Sequence, residues 1–230
     1  LYLRVNTLKT NAQRLLEALS KKYSLVVHSY PLLPNALRAQ SDYTQLVQTD
    51  EYQKGYFSIH DFSSQVMVHL FAPKPGEKIL DIGCGSGGKT LMMAQIMKNQ
   101  GRIYAVDVNQ EKLKTLDALA RCQGIDIIQT MIADATQFLP QELLNVDRVF
   151  VDAPCSGWGT LRRNPEIQIL RNESDNKSFA EKQLQLLSHT SAFVKKSGII
   201  FYCVCTITPE ETEGVVEAFE RQVTKAWEVT

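Results

Sequence analysis

No run in this chain of 230 residues approaches the roughly 18 consecutive apolar residues of a membrane-spanning helix, and the N-terminus carries no basic stretch followed by an apolar one. A soluble, intracellular protein with no membrane partner is expected. The five cysteines (84, 122, 155, 203 and 205) form no Cys-x-x-Cys pair, and the four histidines (28, 60, 69 and 189) are scattered. Neither a disulfide frame nor a metal site is suggested, and a reducing cytoplasm fits. Net charge is absent as well: 25 Lys and Arg balance 25 Asp and Glu, which argues against non-specific polyanion binding by the whole surface. The balance is uneven, because residues 1–60 hold seven basic side chains against four acidic ones, leaving eighteen against twenty-one for the remainder. A nucleic-acid partner is permitted at the basic N-terminal part. There is no internal repeat, no low-complexity tract and no signal of an oligomeric state. The chain starts at Leu1 rather than Met and stops just after a helical pattern, so a piece of a longer protein is expected.

What is present is enough apolar residue, 44%, to bury a full core. Leu1–Asn6 alternates like a strand, Thr10 is placed to cap a helix with Leu15, Leu16 and Leu19 on one face, and Tyr23–Val27 reads as a second strand. A loop carries Pro31 and Pro34, and residues 36–57 read weakly as one more strand and a short helix. These residues are expected to form a small α+β subdomain, 1–58, ahead of a larger domain, 59–230. In the latter, Asp61 caps a helix over Phe62–Phe71 with Phe62, Val66 and Leu70 on one stripe. Strands are expected at 78–82, 103–108, 127–133, 148–153 and 199–203, separated by helices at 89–98, 111–122, 138–144 and 178–195. The 178–195 helix would open on a Ser178/Glu181 capping box, and Thr208-Pro-Glu-Glu211 would open a last helix. Strictly alternating strands and helices mean an α/β fold with a doubly wound, Rossmann-like parallel sheet. One stretch, between Asp152 and Ser178, is longer than compact domains usually leave without structure, and it carries Trp158, Arg162 and Arg163.

Chemistry concentrates at the strand ends. Val149-Phe-Val-Asp-Ala-Pro-Cys155 runs from a buried strand into a loop that exposes an acid, Asp152, and a thiol, Cys155, where open α/β sheets place their ligands. The bland alternative is an Asp-Pro turn with a small buried cysteine. Asp81-Ile-Gly-Cys-Gly-Ser-Gly-Gly-Lys-Thr90 places glycines 83, 85 and 88 in a Gly-x-Gly-x-x-Gly spacing after the first sheet strand, and Asp107 ends the next strand, where a carboxylate takes ribose hydroxyls. A nicotinamide dinucleotide and S-adenosylmethionine both suit that turn. Asp81, Asp107, Asp134 and Asp152 at four successive strand ends favour the second, because its sulfonium and ammonium are cations whereas a pyrophosphate repels acids. Cys203 and Cys205 share a face by alternation, so spacing does not choose between them, although the later one lies nearer the loop and solvent. Cys84 and Cys122 read as packing residues.

At this point the chain resembles the RNA cytosine C5 methyltransferases of the Nol1/Nop2/Sun type. The likeness lies in Arg4-Val-Asn6, Gly55-Tyr-Phe57 with Ser64-Gln65, Gly87-Gly-Lys-Thr90, Asp152-Ala-Pro-Cys-Ser-Gly157, Arg162-Arg-Asn-Pro165 and the Tyr202–Glu211 block. It departs from that pattern in a glycine loop without proline, in His60 where glutamine is common, in Cys203-Val-Cys205 for a more usual Ser-Thr-Cys, and in lacking the strands expected after the last helix. The resemblance implies a Cys205 nucleophile, a Cys155 that helps release the product, and Asp152 and Lys89 at the base or the donor. It also implies cofactor contacts from Gly83, Cys84, Gly85, Ser86, Gly87, Gly88, Lys89, Asp107, Asp134 and Asp152. The expected activity is S-adenosylmethionine-dependent methylation of C5 of a cytosine in RNA (rRNA or tRNA) through a covalent cysteine adduct, on a base held single-stranded or flipped out, with Trp158 and Arg162–Arg163 offering stacking and phosphate contacts. A small-molecule methyltransferase on the same fold and a non-catalytic RNA-binding module are the alternatives.

Overall fold

The computed structural model describes residues 1–30 and 32–223, so Pro31 of the expected proline loop lies outside the described residues. The chain forms two compact units. One holds Leu1–Lys78, Cys84–Ala105 and Asn109–Met131, and the other holds Ile79–Gly83, Val106–Val108 and the chain from Ile132 onward.

In the first unit, β1 (Tyr2–Val5), α1 (Ala12–Tyr23), β2 (Val27–Ser29), β3 (Ala36–Ala39), α2 (Tyr43–Val47), α3 (Asp50–Gln53) and β4 (Phe57–Ile59) follow one another, and the strands pair antiparallel in the order β2-β3-β1-β4. Alternation along β1 sends Leu3 and Val5 to one face, where they pack with Leu15 and Leu19 of α1 and with Leu37, Leu46 and Phe57. Burying each such side chain contributes about 1.5–3 kcal/mol. Asn11, not Thr10, caps α1: its side chain accepts from the Arg14 amide at 2.9 Å. The helix runs through Tyr23 and stops at Ser24 in the left-handed region (φ 55°), so the second strand starts at Val27 rather than Tyr23. The weakly patterned 36–57 region holds β3 and two short helices capped by Asp42 and Thr49.

Next come α4 (Phe62–Phe71), β5 (Lys78–Ile82), α5 (Gly88–Ile96), β6 (Arg102–Asp107), α6 (Gln110–Gln123) and β7 (Ile128–Ile132). Asp61 does cap α4, accepting from the Ser63 amide at 3.0 Å. The buried face is Gln65, Val68 and Phe71, however, and Leu70 of the expected stripe is 66% exposed. Phe62 instead packs against Tyr2 and Tyr30, with ring centroids 5.2 and 4.6 Å away, which fixes the helix rotation.

After them stand β8 (Val146–Asp152), α7 (Ile167–Leu170), α8 (Glu173–Ser191), β9 (Val194–Cys203) and α9 (Glu213–Gln222). The larger sheet has the order β7-β6-β5-β8-β9, and its β5–β8 and β8–β9 pairs run parallel, as the doubly wound Rossmann-like reading requires. In β8, Val149, Phe150 and Val151 are fully buried, and Phe150 stacks on Phe201 of β9 at 5.2 Å. Three expected helices change. Residues 138–144 give only a short 3-10 turn at Gln141–Leu143, because Pro140 disfavours helical backbone in the residue before it. The helix expected from Ser178 begins at Glu173, where Asn172 and Asp175 form the capping box, and it ends at Ser191, so Val194 and Lys195 belong to β9. The supposedly unstructured stretch before it contains α7 and a 3-10 turn at Trp158–Thr160. The last helix, by contrast, starts later than expected, at Glu213, after a 3-10 turn at Pro209–Glu211. Among the described residues no helix is long and apolar enough to cross a membrane.

Candidate active site

In the second unit, the parallel register pairs Asp152, the last residue of β8, with Cys203, the last residue of β9. The buried Cys203 thiol donates to Asp152 Oδ1 at 3.5 Å, so Cys203 is occupied by the strand-end acid. Beyond the strands the chain is no longer bound to alternate, and the loops bring Cys155 and Cys205 together with Sγ atoms 2.9 Å apart. The Cys205 amide also donates to Cys155 Sγ at 3.2 Å. Cys205 is exposed and Cys155 half-buried. The hydrogen bond with Cys205, then burial, then the charge of a Cys205 thiolate push the Cys155 thiol far above the ordinary range. One proton therefore stays on Cys155, and the sulfur on the solvent side is the better home for a thiolate.

Side chains that sequence reasoning passed over hold this pair. Glu211, which read only as part of a helix opening, is completely buried and accepts from the Ser156 amide, the Gln183 side chain and the Thr208 hydroxyl. Gly159, whose amide donates to the Cys205 carbonyl at 3.0 Å, has no room for a side chain there. Trp158 is tied through Nε1 to Asn176 of α8 at 3.1 Å, which constrains the stacking role expected of it. Arg162 and Arg163 are exposed. Among the described residues no group of three or more His, Cys, Asp or Glu side chains converges as a metal cluster would.

The expected cofactor residues divide between the units. In the second, Asp81 is buried within β5, Asp107 and Asp152 end β6 and β8 half-buried, and Asp134 is exposed. The Thr136 hydroxyl and amide hold the Asp134 carboxyl below its usual range. Gly83 has φ 74°, and a Cβ on it would lie 2.3 Å from the Asp152 carbonyl oxygen, so only glycine fits. In the first unit lie Cys84, Gly85, Ser86, Gly87, Gly88 and Lys89, of which Gly87 opens α5 with φ 84° against Leu116. A Cβ on Gly85 would meet nothing, which leaves open backbone. Lys89, in the first turn of α5, acts electrostatically on His60.

His60 belongs to a second cluster of the first unit. Arg4, only 2% exposed, donates to His60 Nδ1 at 3.2 Å, to Ser58 Oγ at 3.3 Å, to Gln123 Oε1 at 3.4 Å and to the Gly88 carbonyl. A guanidinium only donates, so Nδ1 must accept and the imidazole proton sits on Nε2. Burial, followed by the charges of Arg4 and Lys89, pushes the His60 pKa down to about 2, and burial lowers that of Arg4 to about 9. Asn6 donates to the Gly55 and Gln123 carbonyls at 2.8 and 2.9 Å. Arg4 and Asn6, two residues of the N-terminal motif, thus brace the interior of this unit.

The sequence profile described as 16S rRNA methyltransferase RsmB/F matches residues 68–229. The chain is 33% identical to a probable ribosomal RNA small subunit methyltransferase B of Bacillus subtilis over 94% of its own length and 48% of that protein's. To a human 28S rRNA (cytosine(4447)-C(5))-methyltransferase it is 37% identical, over 94% of this chain and 27% of the relative. A solved methyltransferase homolog protein from Pyrococcus horikoshii superposes with a TM-score of 0.84 at 29% identity, covering 96% of this chain and 69% of that one. The chain thus spans about half the length of the bacterial relative and about a quarter of the human one. Since the profile runs through the glycine loop, the strand-end acids and both facing thiols, the chain belongs to the 16S rRNA methyltransferase RsmB/F family.

Proposed function

We propose that this chain is the catalytic part of an RNA (cytosine-5-)-methyltransferase acting on ribosomal RNA, using S-adenosylmethionine and a covalent cysteine adduct. The observation that carries the reading is the pair of facing thiols, 2.9 Å apart, beyond the paired strand ends that hold Asp152. C5 of cytosine is a weak nucleophile, so covalent activation of the ring must come first. Cys205 adds as thiolate to C6, and protonation or hydrogen bonding at N3 by Asp152 stabilises the adduct and leaves C5 electron-rich. A thiol of ordinary pKa, near 8.5, is only a few per cent ionised at neutral pH, so Cys205 needs a hydrogen-bond donor beside it, and the Cys155 thiol, 2.9 Å away, is within reach. Once C5 carries the methyl, its proton passes to solvent, the C–H electron pair re-forms the C5–C6 double bond and expels Cys205 as thiolate, and any proton gained at N3 is given back, with Cys155 assisting this elimination.

S-adenosylmethionine, when bound, supplies an electrophilic methyl on sulfonium. Gly83, Cys84, Gly85, Ser86, Gly87, Gly88 and Lys89 would hold it, with Asp107 on the ribose, Asp134 near the adenine and Asp152 towards the cationic end. The glycine backbone left open at Gly85, with Asp107 and Asp152 at the ends of β6 and β8, supports that fit. RNA docking is assigned to the exposed cations of residues 1–58 and to the Arg162–Arg163 stretch, and five cysteines carried as thiols suit a cytoplasmic setting.

The test is covalent trapping on RNA with cofactor present. Cys205→Ala should give neither methylation nor adduct, whereas Cys155→Ala should accumulate an adduct that survives denaturing electrophoresis. Cys203→Ser, which keeps a donor to Asp152, should retain most activity. An adduct in Cys205→Ala and none in Cys155→Ala would reverse the roles of the two thiols.

A further inference from the structure

We infer that Glu211 is a positioning residue that sets the spacing of the two reactive thiols, an inference resting on the reading of Cys155 and Cys205 as the reacting pair. Its carboxylate gathers hydrogen bonds from both thiol-bearing loops. Oε2 accepts from the Ser156 amide at 2.9 Å, fixing the residue after Cys155, and from Gln183 Nε2 at 2.8 Å. The same Gln183 amide donates to the Pro154 carbonyl at 2.9 Å, fixing the residue before Cys155. Oε1 accepts from the Thr208 hydroxyl at 3.0 Å, three residues past Cys205, and Thr206, directly after Cys205, shares a 2.9 Å hydroxyl contact with Ser156. The Tyr202 hydroxyl, from β9, closes the network on the Glu211 carbonyl at 2.7 Å and on Gln183 Oε1 at 3.0 Å. The Ser156 amide, the Gln183 amide and the Thr208 hydroxyl converge on one buried carboxylate that only accepts, so a single acceptor ties both thiol loops together. Removing the acceptor leaves donors from both loops unmet and frees the loops to part.

The readout is bridging of the two thiols by phenylarsine oxide, which forms two As–S bonds and releases one water, and which needs neither RNA nor cofactor. Glu211→Gln keeps an oxygen for Ser156 and Gln183 and offers an amide to the Thr208 oxygen, so it should bridge close to the parent rate. Glu211→Ala, measured where circular dichroism shows it folded, should bridge about 10²-fold more slowly, the scale of a 1 Å misplacement. Gln183→Met, which keeps the volume and removes only the brace, should shift the rate in the same direction and covers the case in which Glu211→Ala does not fold. Folded Glu211→Ala or Gln183→Met bridging at the parent rate would overturn the inference, as would Glu211→Gln falling as far as alanine. If the parent bridges normally but methylates no RNA, the proposed activity fails and the positioning role stands.

Discussion

Lowering the pH from about 7.5 to about 5 should cost this protein about 2 kcal/mol more than it costs a His60→Gln variant. In the fold, His60 lies against the Arg4 guanidinium at 3.2 Å, and burial together with the charges of Arg4 and Lys89 pushes its pKa from 6.5 down to about 2. In the unfolded chain the same ring takes up a proton near 6.5. Between those two values the unfolded state holds more protons than the folded one, so stability rises with pH, is fully present above the unfolded pKa, and is lost as the pH falls towards the folded one. At about pH 5 the unfolded ring lies about 1.5 pH units below its pKa, and RT ln(1 + 10^1.5) gives about 2 kcal/mol. Glutamine keeps an acceptor for Arg4 and does not titrate, so other acid-sensitive groups cancel in the difference. Urea unfolding of both proteins across that pH range measures it. Parallel stability curves, or a gap that opens by less than about 0.5 kcal/mol, would refute a neutral imidazole clamped between cations.

Gly83→Ala should lower both the melting temperature and the affinity for S-adenosylhomocysteine. A left-handed backbone costs about 1–2 kcal/mol in a residue other than glycine, and the new Cβ would lie 2.3 Å from the Asp152 carbonyl oxygen. Calorimetric binding that matches the parent would remove the glycine turn from the cofactor site. Replacing Arg162 and Arg163 together with alanine should weaken RNA binding and reduce the slope of log K against log salt by about 0.7 for each phosphate no longer neutralised, with cofactor binding unchanged. An unaltered slope across a salt series would take that loop out of the RNA interface.

The sheet, the glycine turn and the facing thiols were legible because each is written in local sequence: apolar runs of strand length, glycines where φ must be positive, cysteines just past strand ends. Helix starts were less legible. Ser178 and Glu181 have the spacing of a capping box, but Asn172 and Asp175 have it too and come first in the chain, so the helix forms from the earlier signal and runs on through the later one. The orientation of α4 was hidden because the deciding packing, Phe62 against Tyr2 and Tyr30, joins residues far apart in sequence.

Charge was the least legible feature, since a count of cations does not say which of them face solvent. The basic excess of the N-terminal part pointed to RNA docking, yet Arg4 is buried among neutral acceptors, Lys9 donates to the Lys54 and Cys122 carbonyls, and Lys22 pairs with Asp50 at 2.7 Å. Arg14, Arg38 and Lys54 remain exposed for a polyanion, with Lys21 beside Glu17 at 3.7 Å. The same blindness hid Glu211. Its donors come from Ser156, Gln183 and Thr208, on a loop, a helix and a turn that no spacing rule connects, and its own Pro-Glu-Glu context is accounted for by the start of a helix. A local pattern that already explains a residue removes the reason to look further, so the acid that holds both thiol loops could be found only once the chain was folded.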